Sequence, residues 1–234
     1  DMQQGSIRGN DSLLIIPVYH EQKYDELRVD NSGKVERKTI TKDEKSLQII
    51  PENQLAIFLD TYTPQINFYK NHVTILQSNF ISPLANQGPL YYQYFLMDSL
   101  ITEGSKTYQI RFRPKNDKEL TFKGDMWIDS ATYALTHIRA AMPATANINF
   151  MNSLVVEQTF EKSEQNLFYY KQQHFAMGFR FDLANNSTKE GIATVFDKDI
   201  TYTNTQVSSK ELLSVKRTIA TDSVNMAETN FRNA

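Results

Sequence analysis

Strict alternation of polar and apolar residues is the feature of this sequence that most constrains its fold. Every second residue is apolar in the segment 107–113, and the period recurs in the segment 120–129, with a glycine in one of the apolar positions. Successive side chains of a β-strand point to opposite faces of a sheet, so a period of two predicts strands with one buried face. Trp127 has the opposite parity to Phe122 and Ile128, and is therefore expected to point to the other face.

The connections between the predicted strands are short and polar, which indicates hairpins. Three of them turn at Gly104, Asn116 and Ser130, so at least four consecutive antiparallel strands are expected. Weaker patterns predict further strands near residues 133–142, 148–161, 167–177 and 193–202.

The sequence of the first third of the chain predicts a further hairpin and a helix. Residues 12–19 form an apolar run typical of an edge strand, and residues 24–29 and 35–41 are expected to pair across a polar turn. In the segment 47–62, apolar residues recur at three- to five-residue intervals, which favours a helix. Several predicted strands carry apolar residues at both parities, so this helix is expected to cover the second face of the sheet.

These patterns predict a mainly β fold with minor α structure: a curved antiparallel sheet or half-barrel meander covered by one or two helices. One domain, residues 10–205, includes all the predicted elements. Residues 206–234 are polar and weakly patterned, so they are expected to form a C-terminal tail or linker.

Composition excludes several kinds of function. The chain has no cysteine, which excludes disulfides, thiolate zinc sites and a cysteine nucleophile. Its 25 basic and 27 acidic residues give no electrostatic reason to bind a nucleic acid, so no nucleic-acid partner is expected. The four histidines lack metal-binding spacing and the eight glycines form no phosphate-binding motif. We therefore expect no metal, no cofactor and no enzymatic activity.

One group of residues keeps an enzymatic alternative open. Asp197 and Asp199 share a strand face, and His174 lies in another predicted strand, so the three are candidates for acid-base catalysis in a hydrolase. Paired acidic residues on the solvent side of a strand are common, however, and this ordinary interpretation is favoured.

The aromatic content, 14 Phe and 12 Tyr, has two interpretations. Large aromatic residues fill the buried face of a sheet, and they also line apolar ligand sites. In the second case the chain binds an acyl chain on the concave face of its sheet. The candidate lining residues share strand parity within successive hairpins: Tyr94, Leu96, Tyr108, Ile110, Phe112, Phe122, Met126 and Ile128.

Five short motifs resemble one known family when taken in order and spacing. They are FISP at 80–83, YYQY at 91–94, IRFRPK at 110–115, FKGDMWID at 122–129 and NINF at 147–150. This pattern is similar to the middle domain, of unknown function, of Bacteroidetes outer-membrane proteins that also contain a carboxypeptidase-regulatory-like domain and a C-terminal β-barrel. The resemblance implies a periplasmic, outer-membrane-associated location with a barrel domain or protein as partner.

A second resemblance is to periplasmic carriers of the lipoprotein-localisation type. Phe122, Gly124, Ile128 and Asp129, followed by the Tyr-Ala-Leu segment at 133–135, occupy the motif positions of those carriers. The resemblance implies a half-barrel wrapped over helices, with an acyl chain or lipoprotein as ligand. In the strand itself, Gly124 indicates a bend or a close backbone approach.

Three functions therefore compete. The first is a non-enzymatic periplasmic module that binds an acyl chain or lipoprotein, or scaffolds an adjoining barrel. The second is a purely structural spacer with no ligand. The third, a hydrolase, is the least favoured because it depends only on the acidic residues and one histidine.

Overall fold

The computed structural model describes residues 14–29, 35–46, 66–102, 105–146, 148, 151–163, 167–182, 190–206 and 213–230. These segments are mainly β, as the alternation predicts, and their one helix has four residues. None of their helices has the length and apolar character that crossing a bilayer requires. In chain order the elements are β1 (Leu14–Val29), β2 (Val35–Ser46), β3 (His72–Ile75), β4 (Ser78–Ile81), α1 (Gly88–Tyr91), β5 (Tyr92–Thr102), β6 (Ser105–Pro114), β7 (Lys123–Asp129), β8 (Leu135–Ala141), β9 (Met151–Lys162), β10 (Phe168–Asp182), β11 (Glu190–Gln206) and β12 (Leu213–Asn230).

Ten of these strands form one antiparallel sheet, in the order β2-β1-β12-β11-β10-β9-β8-β7-β6-β5. Strands β5 to β12 follow one another as a meander, and the N-terminal β1 pairs with the C-terminal β12. The sheet is open, with β2 and β5 as its two edge strands. Strands β3 and β4 form a separate hairpin. The predicted large antiparallel sheet is therefore confirmed.

Local turns join the central strands, which confirms the hairpins predicted at Asn116 and Ser130. Asp129 closes the second of these turns, because its Oδ1 accepts a hydrogen bond from the amide of Thr132 at 2.8 Å. A side-chain carboxylate that bonds the following backbone in this way stabilises a turn. Gly104 lies outside the described residues, although the strands that flank it, β5 and β6, are paired.

The two ends of the chain form the opposite side of the sheet. Strands β1 and β2 pair as the predicted N-terminal hairpin, and residues 14–19 are the first part of β1. The segment 206–234, predicted to be a tail or linker, instead contains β12, which pairs with β1 and β11. Backbone hydrogen bonds to two neighbours hold this strand in the sheet, and its polar side chains give no alternating signal.

Residues 66–91 cover one face of the sheet, which is called the core face below. The helix predicted over 47–62 lies outside the described residues, and α1 is much shorter than the predicted helix, so the described cover is the β3–β4 hairpin with its loops. Phe68 and Phe80 are buried in this cover, and their ring centroids lie 5.4 and 5.0 Å from that of Phe122.

One side chain ties the cover to the sheet. The hydroxyl of Tyr92 donates a hydrogen bond to the backbone oxygen of Ile81 at 2.5 Å and accepts one from the amide of Phe122 at 3.0 Å. The Tyr92 ring is itself 1 % exposed. A buried polar group with both partners in place fixes the position of the elements that supply them.

Gly124 lies close to the backbone of β8. A Cβ atom at this position would lie 1.9 Å from the backbone oxygen of Arg139. A side chain there would collide with the neighbouring strand, so only glycine fits without a backbone shift. The close backbone approach predicted from the sequence is therefore confirmed.

Candidate functional site

Three of the eight residues predicted to line an apolar ligand site lie in the core: Phe112, Phe122 and Met126. Phe112 and Phe122 have no exposed surface, and the rings of Phe68 and Phe80 from the cover pack on Phe122. The protein's own side chains therefore occupy this part of the core face.

The other five predicted residues lie at different depths. Tyr94, Ile110 and Ile128 are partly buried and pack against the core, and Tyr108 is half-buried. Leu96 is 69 % exposed although it lies opposite Ile110, because β5 is an edge strand and its register shifts immediately after Leu96. Shared parity therefore does not bring all eight residues onto one continuous buried surface.

Trp127 lies on the other face of the sheet, here called the polar face. Its ring stacks on that of His137 in β8, with centroids 4.6 Å apart and planes inclined by 23°. Phe122 and Ile128 face the core instead. The predicted opposite orientation of Trp127 is therefore confirmed.

A row of charged residues crosses the polar face from β6 to β11, and we name it the charge ladder. Each member is the register partner of the next, and acidic residues alternate with arginine or histidine along the row. Opposite charges directly across neighbouring strands stabilise a sheet by about 0.2–1 kcal/mol for each pair. The six members are Arg111, Asp125, Arg139, Glu157, His174 and Asp199.

Two neighbouring pairs of the charge ladder are in contact, Arg111 with Asp125 and His174 with Asp199, and Glu157 contacts a residue beside the row. Arg111 Nε lies 3.0 Å from Asp125 Oδ1. Glu157 Oε1 lies 2.9 Å from Nε2 of His137, the histidine that stacks on Trp127. The alternation of the sequence predicts the polar parity of Arg111 and Asp125, but the common row depends on strand register, which the sequence pattern does not show.

The three residues of the hydrolase alternative lie together at the β11 end of the charge ladder. His174 Nδ1 is 2.8 Å from Asp199 Oδ1 and 3.5 Å from Asp197 Oδ1. Burial raises the pKa of Asp197 above its usual value, while the nearby His174 acts in the opposite direction and Asp199 raises it further. The three side chains are half-buried or exposed.

Chemically, this cluster offers one imidazole nitrogen and two carboxylate oxygens, all within 4.8 Å of one another. Such a set has the ligand types that bind a divalent cation, and it also places a base within hydrogen-bonding distance of an acid. In the charge ladder, however, His174 and Asp199 are register partners on neighbouring strands, so their hydrogen-bond contact has a structural explanation that needs no ligand.

A groove of about 630 Å³ opens at the other end of the ladder, beside β6 and β7. One wall is the polar face itself, and the opposite wall comes from two loops, joined by a hydrogen bond of 2.5 Å from Thr145 Oγ1 to the backbone oxygen of Asp117. The charged side chains that line the groove are Arg111, Arg113, Asp117, Lys123 and Asp125.

The edge strand β5 exposes apolar side chains along most of its length. An edge strand has backbone hydrogen-bonding groups without a strand partner on one side, and soluble proteins usually protect such edges with charges or proline. Asp98 is the one charged residue of β5. The exposed apolar residues are Phe95, Leu96, Met97, Leu100 and Ile101.

The other edge strand, β2, has the opposite character. Its exposed side chains include Glu36, Lys38, Lys42 and Asp43, and these charges protect the edge from pairing with another strand. Ile40 is the exposed large apolar residue among the described side chains of β2. The two edges of the same sheet are therefore suited to different surroundings.

Comparison with known proteins gives one match. The model of a family of unknown function, DUF5686, matches residues 30–197, which is more than half of the chain. No curated protein and no solved structure matches the chain.

Proposed function

This chain belongs to the family DUF5686, whose function is unknown, and we propose its role from the surfaces that the structure presents. It is a non-enzymatic domain of the bacterial cell envelope, periplasmic and associated with the outer membrane. It scaffolds an outer-membrane barrel domain or protein, which docks along β5. In this proposal the open sheet is the curved half-barrel that the family resemblance implies.

The exposed apolar edge of β5 is the observation that carries this proposal. Leu96 is 69 % exposed and Ile101 is 76 % exposed, on a strand whose outer edge has no partner among the described residues. An added strand would satisfy the backbone groups of this edge and would bury these side chains. Exposed apolar surface of this kind marks an interaction site.

The chemistry of β5 favours a β-strand as the partner. Its apolar side chains lie on both faces of the strand, since Leu100 and Ile101 are adjacent in sequence, in regular register with β6, and both exposed. A partner that covers both faces must pair along the edge and extend above and below it. A strand of the barrel domain or protein that has a free edge fits this requirement, and a barrel partner agrees with the resemblance to proteins that carry a C-terminal barrel.

The core face gives no support to the acyl-chain version of this function. Phe112 and Phe122 are fully buried against the protein's own chain, so an acyl chain would have to displace the cover to reach them. The spacer alternative differs from the scaffold only in having no docking partner.

Cross-linking from the two edges of the sheet tests the scaffold. A photoreactive amino acid replaces Leu96 or Ile101 on β5, or Ile40 on β2 as the matched control, in the full-length protein in cells that produce it. We expect adducts from both β5 positions to a strand of an outer-membrane barrel, in the same or another chain, as identified by peptide mapping. Equal adducts from Ile40, or adducts without barrel peptides, would reject the scaffold in favour of the spacer.

A further inference from the structure

The groove between β6, β7 and the loops that contain Asp117 and Thr145 is formed independently of the docking of β5. Arg111 and Asp125 are opposite each other, as are Phe112 and Gly124. Continuing this antiparallel register by one residue places Arg113 opposite Lys123. Both side chains line the groove and both are exposed.

This arrangement is a cross-strand pair of like charges, which destabilises a sheet. It lies next to the charge ladder, where each neighbouring pair combines an acidic residue with arginine or histidine. Within the described segments, neither Arg113 nor Lys123 has an ion-pair partner. Arg113 and Lys123 therefore depart from the pattern of charge compensation that the adjacent row follows.

The other charges of the groove do not neutralise this pair. Arg111 and Asp125 compensate each other, with two contacts at 3.0 and 3.4 Å between the guanidinium and the carboxylate. Asp117 remains as one negative charge against the two positive charges of Arg113 and Lys123. The groove therefore keeps a net positive charge on the wall formed by β6 and β7.

We propose that this groove binds a phosphate monoester group between Arg113 and Lys123. A phosphate dianion matches the two positive charges, and arginine and lysine are the side chains that bind it, by paired hydrogen bonds and by a point charge respectively. The bound group would convert the repulsion between the two strands into two attractive contacts. The groove, of about 630 Å³, has room for a phosphate group and the molecule that carries it.

The phosphate group can belong to a soluble molecule or to a lipid headgroup, and the experiment has an arm for each source. The full chain is titrated with glycerol phosphate, and separately with phosphatidylcholine vesicles that contain phosphatidic acid. Backbone NMR shifts and the melting temperature are recorded in both arms. Binding of glycerol phosphate identifies a soluble source, and binding only of phosphatidic acid vesicles identifies a headgroup.

Two variants and one control make the test specific. Arg113→Gln and Lys123→Gln should each weaken binding by about tenfold, because one charge-assisted hydrogen bond is lost. Both variants should also show a smaller rise in melting temperature than the unmodified chain at the same probe concentration. Lys38→Gln, an exposed lysine on β2, should bind as the unmodified chain does.

The melting temperatures of the variants, measured without any probe, show whether the variants remain folded. Removal of one of two like charges should leave the melting temperature unchanged or raise it, so a loss of binding cannot come from unfolding. The proposal is overturned if neither probe shifts the resonances of residues 111–125, or if Lys38→Gln loses as much binding as the groove variants. A failure here would leave the docking of β5 unaffected, since cross-linking from Leu96 and Ile101 tests that function separately.

Discussion

The rings of Trp127 and His137 stack across β7 and β8 with their centroids 4.6 Å apart, and His137 also contacts Glu157 at 2.9 Å. His137 therefore contacts both the aromatic ring of Trp127 and Glu157, a member of the charge ladder. Because Trp127 is the one tryptophan of the chain, its fluorescence reports on this position alone.

Removal of the imidazole should therefore destabilise the sheet measurably. His137→Ala loses the stack and the contact with Glu157, and we expect the free energy of unfolding to fall by about 1 kcal/mol. Urea denaturation followed by Trp127 fluorescence measures this change. His72→Ala, at an exposed position of β3, serves as the control and should change stability little. Equal losses in both variants would contradict a specific role of the stack.

Gly124 should be the least replaceable glycine of the described sheet. Gly124→Ala places a Cβ atom 1.9 Å from a backbone oxygen of β8, and we expect a loss of about 3 kcal/mol or more, because the backbone must move. At Gly178 the nearest atoms belong to the exposed side chains of Asn152 and Ser153, which can rotate away. Gly178→Ala should therefore cost much less. Thermal denaturation of both variants tests the order, and similar losses would show that the β7–β8 contact is not as close as described.

The hydroxyl of Tyr92 should contribute to the attachment of the cover. Tyr92→Phe leaves the backbone oxygen of Ile81 and the amide of Phe122 without this partner, at a cost of about 1–3 kcal/mol. Hydrogen exchange should show the amide of Phe122 less protected in the variant. Unchanged protection would mean that ring packing alone holds the cover.

Alkaline pH should destabilise the protein through its buried tyrosines. Burial raises the pKa of Tyr94 to about 12, and it also raises the pKa of Tyr92 and Tyr170. In the unfolded chain tyrosine loses its proton near pH 10, so between about pH 10 and pH 12 the folded state binds more protons and stability falls as pH rises. Below about pH 10 these groups contribute no pH dependence.

The Tyr94→Phe variant tests this assignment. Its melting temperature should decline less steeply above pH 10 than that of the unmodified chain, whereas the two curves should run parallel at neutral pH. A decline of the same steepness would assign the alkaline sensitivity to other groups.

The pair Arg111 and Asp125 should show a small coupling energy. In a double-mutant cycle with Arg111→Gln and Asp125→Asn, we expect about 0.5 kcal/mol at low salt, because both side chains are partly exposed. Added salt should reduce this value, since exposed charges are screened. A coupling that is absent at low salt would remove the energetic argument for the charge ladder.

The sequence predicted the antiparallel sheet because burial on one face imposes a period of two on side chains. The period identified β6 and β7 and the orientation of Trp127. It did not identify β12, whose polar side chains alternate weakly although its backbone pairs on both sides. The alternation of apolar and polar residues in a sequence indicates which face of a strand is buried. A strand whose residues do not alternate clearly is therefore not predicted from its sequence.

The candidate sites were less predictable because they depend on register. Arg113 and Lys123 are ten residues apart in sequence, and they come to lie opposite each other only when the register of β6 with β7 is continued by one residue. Leu96 has the parity of a core residue, but its position on an edge strand leaves it exposed. The sequence indicates part of the cluster of His174, Asp197 and Asp199, since the two aspartates share one strand face. The position of His174 beside them depends on the register of β10 with β11.

The pairing of β1 with β12 has a consequence for the folding of the chain. Leu14 lies opposite Glu228, so β1 pairs with the described strand that is furthest from it in sequence. The loop between such partners is long, and its closure entropy opposes early contact. In the meander from β5 to β11 each strand pairs with the next one in sequence, so the loops that must close are much shorter. We therefore expect the β1–β2 hairpin to join the sheet after the meander has formed, by pairing with β12.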